Sequence, residues 1–254
     1  MENLGHLALL LAAAFTAGTL NAVAGGGSFL TLPALVFTGV PPVIANATGT
    51  VALLPGYIAG AWGFKDDMQS PPGLSMKQVV ALSLIGGSAG AALLLFTPDA
   101  TFRKVVPWLL LAATAMFAFG PQLRAWASGK NADHAATSAA KATAGMLIVA
   151  IYGGYFNGGL GILLLALFGL LGQTSLNAMN GMKNLVSALL TAIAVVIYAV
   201  GGIVEWKLAL VMMVAATLGG YLGARAARRI APHVLRWGIV ATGLVMAGLF
   251  FARG

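Results

Sequence analysis

Apolar segments of membrane-spanning length recur along this chain and leave it few folds. Ile44–Phe64, Val79–Phe96, Val105–Gly120, Asn177–Val200, Leu208–Ala224 and Val234–Phe251 are each close to the length that crosses a bilayer, about 20 residues for an α-helix. In hydrocarbon, backbone N–H and C=O groups need partners within the chain, and helices supply them. Composition agrees. The chain is 59% hydrophobic and 8% charged, whereas soluble chains carry roughly 25% charged residues. The expectation is an all-α, polytopic helical membrane protein of the cell (plasma or inner) membrane. Cysteine is absent, which excludes disulfides, thiolate catalysis and Cys-based metal sites. Ala22-Val23-Ala24 has the look of a signal-peptidase site. However, a signal peptide needs a positive amino-terminal region, and the first basic residue here is Lys65.

Two apolar segments are broken. Leu7–Ala24 runs into Gly25-Gly26-Gly27 before the short piece Phe29–Thr38. Ala142–Phe156 runs into Asn157-Gly158-Gly159 before Leu160–Leu171. Each glycine costs about 1 kcal/mol against alanine in a helix, so the helices have little reason to continue. Broken backbone at membrane depth survives only when buried in protein or lining a wet cavity. The features repeat in order. A shift of 132 lays Gly26-Gly27 on Gly158-Gly159 and Gly49 on Gly181, and a shift of 133 lays Gly86-Gly87-x-x-Gly90 on Gly219-Gly220-x-x-Gly223. This predicts two repeats of about four transmembrane helices each, over 1–122 and 141–254, joined by a polar linker over 123–140. Each repeat opens with a glycine-broken helix. Paired interrupted segments are the sequence signature of a transporter site.

Charge places the halves. If each broken segment crosses once, the basic residues divide nearly evenly between the two sides. If each turns back as a hairpin, the halves are inverted. One side then holds Lys65, Lys77, Arg124, Lys130, Lys141, Arg225, Arg228, Arg229 and Arg236, and the other Arg103, Lys104, Lys207 and Arg253. Positive loops favour the cytoplasm, so the inverted version is expected, with both termini outside. The net charge of +8 reflects these loops rather than nucleic-acid binding.

The motif Ala24-Gly25-Gly26-Gly27-Ser28-Phe29-x-x-x-Pro33, the Pro41-Pro42 turn and Ala45-Asn46-Ala47-Thr48-Gly49-Thr50 resemble the TauE/SafE sulfite exporter family, also called the TSUP permeases. Asn157-Gly158-Gly159-Leu160-Gly161 and Asn177–Asn184 form a weaker second copy. The resemblance covers nearly the whole chain. It implies a carrier of small sulfur-containing anions such as sulfite, sulfoacetate and related organosulfonates. Pro33 has no proline counterpart, since the shift of 132 reaches Leu165, so strict equivalence of the two breaks is not expected.

Lys183 is the sharpest single residue, a charge seven positions into an apolar span. An ionisable residue at membrane depth is a functional candidate by default. At 100° per residue, Asn177, Asn180, Lys183, Asn184 and Ser187 fall within an arc of about 120°. The competing reading is a lysine that snorkels to the interface. Asn46 and Thr50 share a face of the first-half helix and suit either ligand contact or interhelical bonding. Gly25, Gly26, Gly27 and Ser28, like Asn157, Gly158 and Gly159, precede restarting helices whose positive ends could aim at an anion. The Gly86, Gly90, Gly219 and Gly223 spacing reads instead as helix packing. Asp66 and Asp67 are candidates for proton coupling, though solvated loop charges account for them better. His6, His134 and His233 make no ligand spacing, and no metal, cofactor or catalytic motif is expected. The leading function is a secondary anion carrier. A passive small-anion channel and a non-transporting scaffold are the alternatives. The bilayer and a small anion are the expected partners, and the oligomeric state, a homodimer included, is open.

Overall fold

A computed structural model describes residues 4–23, 26–129, 139–226 and 232–253. The described residues form α-helices and one short 3-10 turn, with no strand. The first five helices are α1 (Leu4–Val23), α2 (Ser28–Phe37), α3 (Pro42–Gly63), α4 (Met76–Leu95) and α5 (Asp99–Gly129). The remainder are α6 (Ala139–Tyr155), α7 (Leu160–Leu170), α8 (Leu176–Val200), α9 (Trp206–Ala226) and α10 (Pro232–Arg253). Leu4–Ala22, α3, α4 and α8 are long and apolar enough to cross a membrane.

Helix ends explain the boundaries. α4 starts at Met76, ahead of its apolar run, because Ser75 caps it. Gln78 N donates to Ser75 Oγ at 3.3 Å, and Ser75 N donates to Gln78 Oε1 at 2.8 Å. This is the reciprocal capping box. Pro41 precedes α3 and offers no side-chain cap. Asp99 supplies the missing acceptor from α5, taking Val43 N at 3.0 Å. Within the span expected as a linker, 123–140, α5 continues to Gly129 and α6 begins at Ala139. Gln, Leu, Arg and Ala are good helix formers, so the polar composition that suggested a linker does not end the helix. Residues 130–138 of that linker lie outside the described residues.

The helix ends also fix how the broken segments run. His6 near the start of α1 and Phe37 at the end of α2 meet edge to face, with ring centroids 6.5 Å apart. Thus α2 returns to the end that α1 left. In the same way Leu167, late in α7, lies against Gly145, early in α6. The α7 end sits at the opposite face of the bundle. Gln173 Nε2 donates there to Gln69 O at 2.8 Å, beyond the end of α3. Near the start of α3, Glu205 N, just before α9, donates to Thr48 Oγ1 at 3.0 Å.

Glycine lets the helices cross closely. A Cβ on Gly86 would lie 3.1 Å from Ala150 C, and one on Gly90 would lie 2.6 Å from Tyr155 N. One on Gly219 would strike the Phe15 backbone, and one on Gly18 that of Ala216. These contacts join α4 to α6 and α1 to α9. The packing reading therefore holds for Gly86, Gly90 and Gly219. The side-chain environment of Gly223 lies outside the described residues. Without a hydrophobic force between helices in lipid, such close approach supplies the van der Waals contact that holds them.

Candidate functional site

The two breaks are built differently. At the first, Gly27 has ordinary right-handed dihedrals, φ −57 and ψ −36. Its need is space: a Cβ would sit 2.9 Å from Ala17 O and 3.0 Å from Leu53 Cδ2. Gly26 and Gly27 carbonyls accept from Phe29 N at 3.2 Å and Leu30 N at 3.1 Å, starting α2. Around this break Asn21 Oδ1, Ser28 Oγ and Thr31 Oγ1 are buried without a hydrogen-bond partner among the described residues. Gly25 lies outside the described residues.

At the second break Gly159 does need its lack of a side chain, with φ +72 in the left-handed region, which other residues rarely adopt. The polar groups freed here are held by side chains. Tyr152 Oη donates to Gly158 O at 2.6 Å, Tyr198 Oη to Gly154 O at 2.5 Å, and Asn46 Nδ2 to Tyr155 O at 3.1 Å. Asn157 bridges two helices. Its Oδ1 accepts from Tyr57 Oη on α3 at 3.0 Å, and its Nδ2 donates to Thr191 Oγ1 on α8 at 3.3 Å. Buried polar groups must be paired in this way or cost several kcal/mol in hydrocarbon.

Lys183 lies on α8 and is 2% exposed. Among the described residues no hydrogen bond or ion pair joins it to another group. Lys183, Ser187 and Thr191 stand one turn apart on one stripe, and all three are buried. The stripe therefore leads from the ammonium to Asn157 at the second break. Asn184 is buried on the flank of this stripe, beside Gly60 of α3. Two other residues of the expected arc do not join them. Asn177 is exposed at the helix start, and Asn180 turns back to bond Leu176 O at 3.0 Å. Thr50 likewise bonds the carbonyl of Asn46 on its own helix, at 2.8 Å. Asp66 and Asp67 are exposed beyond α3.

The sequence reading missed Asn21, Tyr57, Tyr152, Thr191 and Tyr198. Thr191 was within reach, since it continues the i, i+4, i+8 stripe from Lys183. Nothing local marks the tyrosines, whose partners lie as far as 100 residues away.

A helical bundle with two folded-back breaks and a buried polar centre defines a multi-pass protein of the cell membrane. The chain belongs to the sulfite exporter TauE/SafE family, whose model matches residues 10–250. A probable membrane transporter protein of Haemophilus influenzae is 30% identical over 232 residues, covering 86% of this chain and 84% of that one. The probable membrane transporter protein ORF9 of a Sinorhizobium species is 27% identical over 249 residues, covering 95% and 90%. The probable membrane transporter protein YfcA of Escherichia coli is 26% identical over 242 residues, covering 95% and 88%. These names are those of membrane transporters, not of enzymes. No solved structure matches the chain.

Proposed function

We propose that the chain is a secondary carrier for a small sulfur-containing anion: sulfite, sulfoacetate or a related organosulfonate. The observation that carries this reading is Lys183, buried at 2% exposure with no acidic partner among the described residues. A buried cation without a counter-ion is costly, and an anionic solute supplies the missing charge. Asn184 and Ser187 add neutral hydrogen-bonding groups on the same helix face, and Thr191 continues the stripe to Asn157. One cation suits a singly charged anion better than a doubly charged one. Direct binding measurements on the purified protein with sulfite, sulfate, thiosulfate and sulfoacetate test the reading. Saturable binding of hydrogensulfite, the singly charged form of sulfite, ahead of the doubly charged sulfate is expected. Binding of none of the four overturns it. Saturating flux that follows a proton gradient identifies a coupled carrier, whereas non-saturating flux identifies a passive channel.

The same reading takes residues 1–122 and 141–254 as two inverted repeats. Helix packing supports it. Exchanging α1–α5 with α6–α10 turns α1·α9 into α6·α4, α3·α9 into α8·α4 and α10·α2 into α5·α7, and all of these pairs pack together. The return of α2 and α7 to opposite ends of the bundle also supports opposite senses for the two halves. The basic residues then gather on one side, which the positive-inside tendency makes cytoplasmic. A reporter fused after Gly254 is expected to be active only when its readout requires the outer side. A cytoplasmic carboxyl terminus would sink the inverted arrangement.

A further inference from the structure

Glycine inside a helix costs about 1 kcal/mol against alanine, so each one needs a reason. Gly18, Gly86, Gly90 and Gly219 have one, because a Cβ there would strike the backbone of a neighbouring helix. Gly60 has one too, since its Cβ would lie 2.6 Å from Asn184 Nδ2. Gly56, one turn earlier on α3, has none of this kind. It is exposed, and among the described residues beyond its own turn of helix the only atom within 4 Å of its would-be Cβ is Asn21 Nδ2, at 3.9 Å. Asn21 itself is 6% exposed, and its Oδ1 has no partner among the described residues. A carboxamide with an unmet oxygen is unfavourable against lipid. The face of α3 that carries Gly56 and Gly60, 40° apart on the helix, is therefore bordered by two asparagine amides. The two glycines stand about 6 Å apart along the axis. The missing side chain at Gly56 brings a passing solute close to the helix backbone, and the Asn184 amide offers an N–H donor to its oxygens.

We propose that Gly56 and Gly60, flanked by Asn21 and Asn184, form the first-half wall of the solute path, and that the missing side chain at Gly56 sets the size limit of the anion. This rests on the anion-carrier reading and extends it to a specificity-determining position. The path takes small sulfonates and oxoanions. The amide donors serve the sulfonate oxygens, and the space over Gly56 serves the substituent on sulfur.

The chain has no cysteine, so Gly56→Cys introduces a single thiol. Ile58→Cys is the control, 52% exposed and 200° away on the same helix. In lipid nanodiscs a water-soluble maleimide is expected to modify Gly56→Cys at least about tenfold faster, because only a hydrated thiol forms the reactive thiolate. Sulfoacetate is expected to slow that modification. Equal, slow modification at both positions places Gly56 against lipid and overturns the proposal. Gly56→Val, for which the structure has room, is expected to weaken sulfoacetate binding about tenfold or more while leaving sulfite nearly unchanged, on the scale of a methylene added in a pocket. Equal loss for both anions overturns the size limit. The double variant Gly56→Cys, Lys183→Gln separates the two readings. If modification persists and protection by sulfoacetate is lost, both stand. If protection survives, the role of Lys183 fails and the wall at Gly56 remains. If modification persists but sulfoacetate never protects, even with Lys183 present, the solute path at Gly56 is overturned.

Discussion

Lys183→Gln is expected to abolish measurable anion transport while the protein still inserts and folds. A lysine near the centre of a span costs roughly 2.5–3.5 kcal/mol on insertion scales. Removing it therefore relieves the folded protein, and the unfolding midpoint should stay the same or rise. Binding should move the other way. A hydrogen bond to a charged group contributes about 1.5–3 kcal/mol, which is roughly 10- to 100-fold in affinity. Glutamine keeps a donor at the position and loses only the charge. Lys183→Arg should retain part of the activity, since the charge persists in a bulkier, differently shaped head. A snorkelling lysine predicts a different pattern, with the glutamine variant binding and transporting like the parent. That result would remove Lys183 from the site. The 2% exposure of Lys183 and the buried Ser187 and Thr191 on its stripe favour the first outcome.

Gly90→Val is expected to be strongly destabilising. The added Cβ would lie 2.6 Å from Tyr155 N and 2.8 Å from Gly154 C, and would strike Ile151 O as well. These are backbone atoms of α6, so no side chain can swing aside. Overpacking of this kind typically costs 1–3 kcal/mol, occasionally more. The damage should also reach the site. Tyr155 O holds Asn46, and Gly154 O holds Tyr198, so moving α6 disturbs the backbone that leads into Asn157. Folded yield and unfolding midpoint should both fall, and anion binding with them. Gly248→Val is the matched control, because among the described residues nothing lies within 4 Å of a Cβ there. Equal unfolding midpoints for the two variants would mean that the crossing of α4 and α6 contributes little to stability.

Much of the architecture was legible in the chain because lipid makes the hydrophobic signal simple. Nearly every helix appears within a few residues of its expected bounds, from α2 at Ser28–Phe37 to α8 at Leu176–Val200. The exception is instructive. α5 runs on to Gly129 because hydropathy reports where a helix leaves the lipid, not where it ends. The breaks were legible for a related reason, since runs of glycine at membrane depth have few uses.

The site was legible only where its geometry is local. One helix face can be computed from spacing, so Lys183, Asn184 and Ser187 could be grouped from the sequence. Spacing could not say how far down the helix the buried part begins, and so Asn177 and Asn180 were grouped with them although both stay near the helix start. Asn46 suited either ligand contact or interhelical bonding, and its Nδ2 donates to a carbonyl of the second break, 109 residues away.

The sequence by itself therefore determined the membrane class, the helices, the two breaks and the charge placed inside a span at Lys183. Each of these follows from local composition and from the cost of leaving backbone or charge in hydrocarbon. Only the tertiary structure decided that the second break is tied down by Tyr57, Tyr152, Tyr198 and Asn46, while Asn21, Ser28 and Thr31 at the first keep unpaired atoms among the described residues. That difference depends on which helix packs against which. The Tyr57, Tyr198 and Asn46 hydrogen bonds join residues 44 to 109 positions apart and leave no periodic trace in the chain.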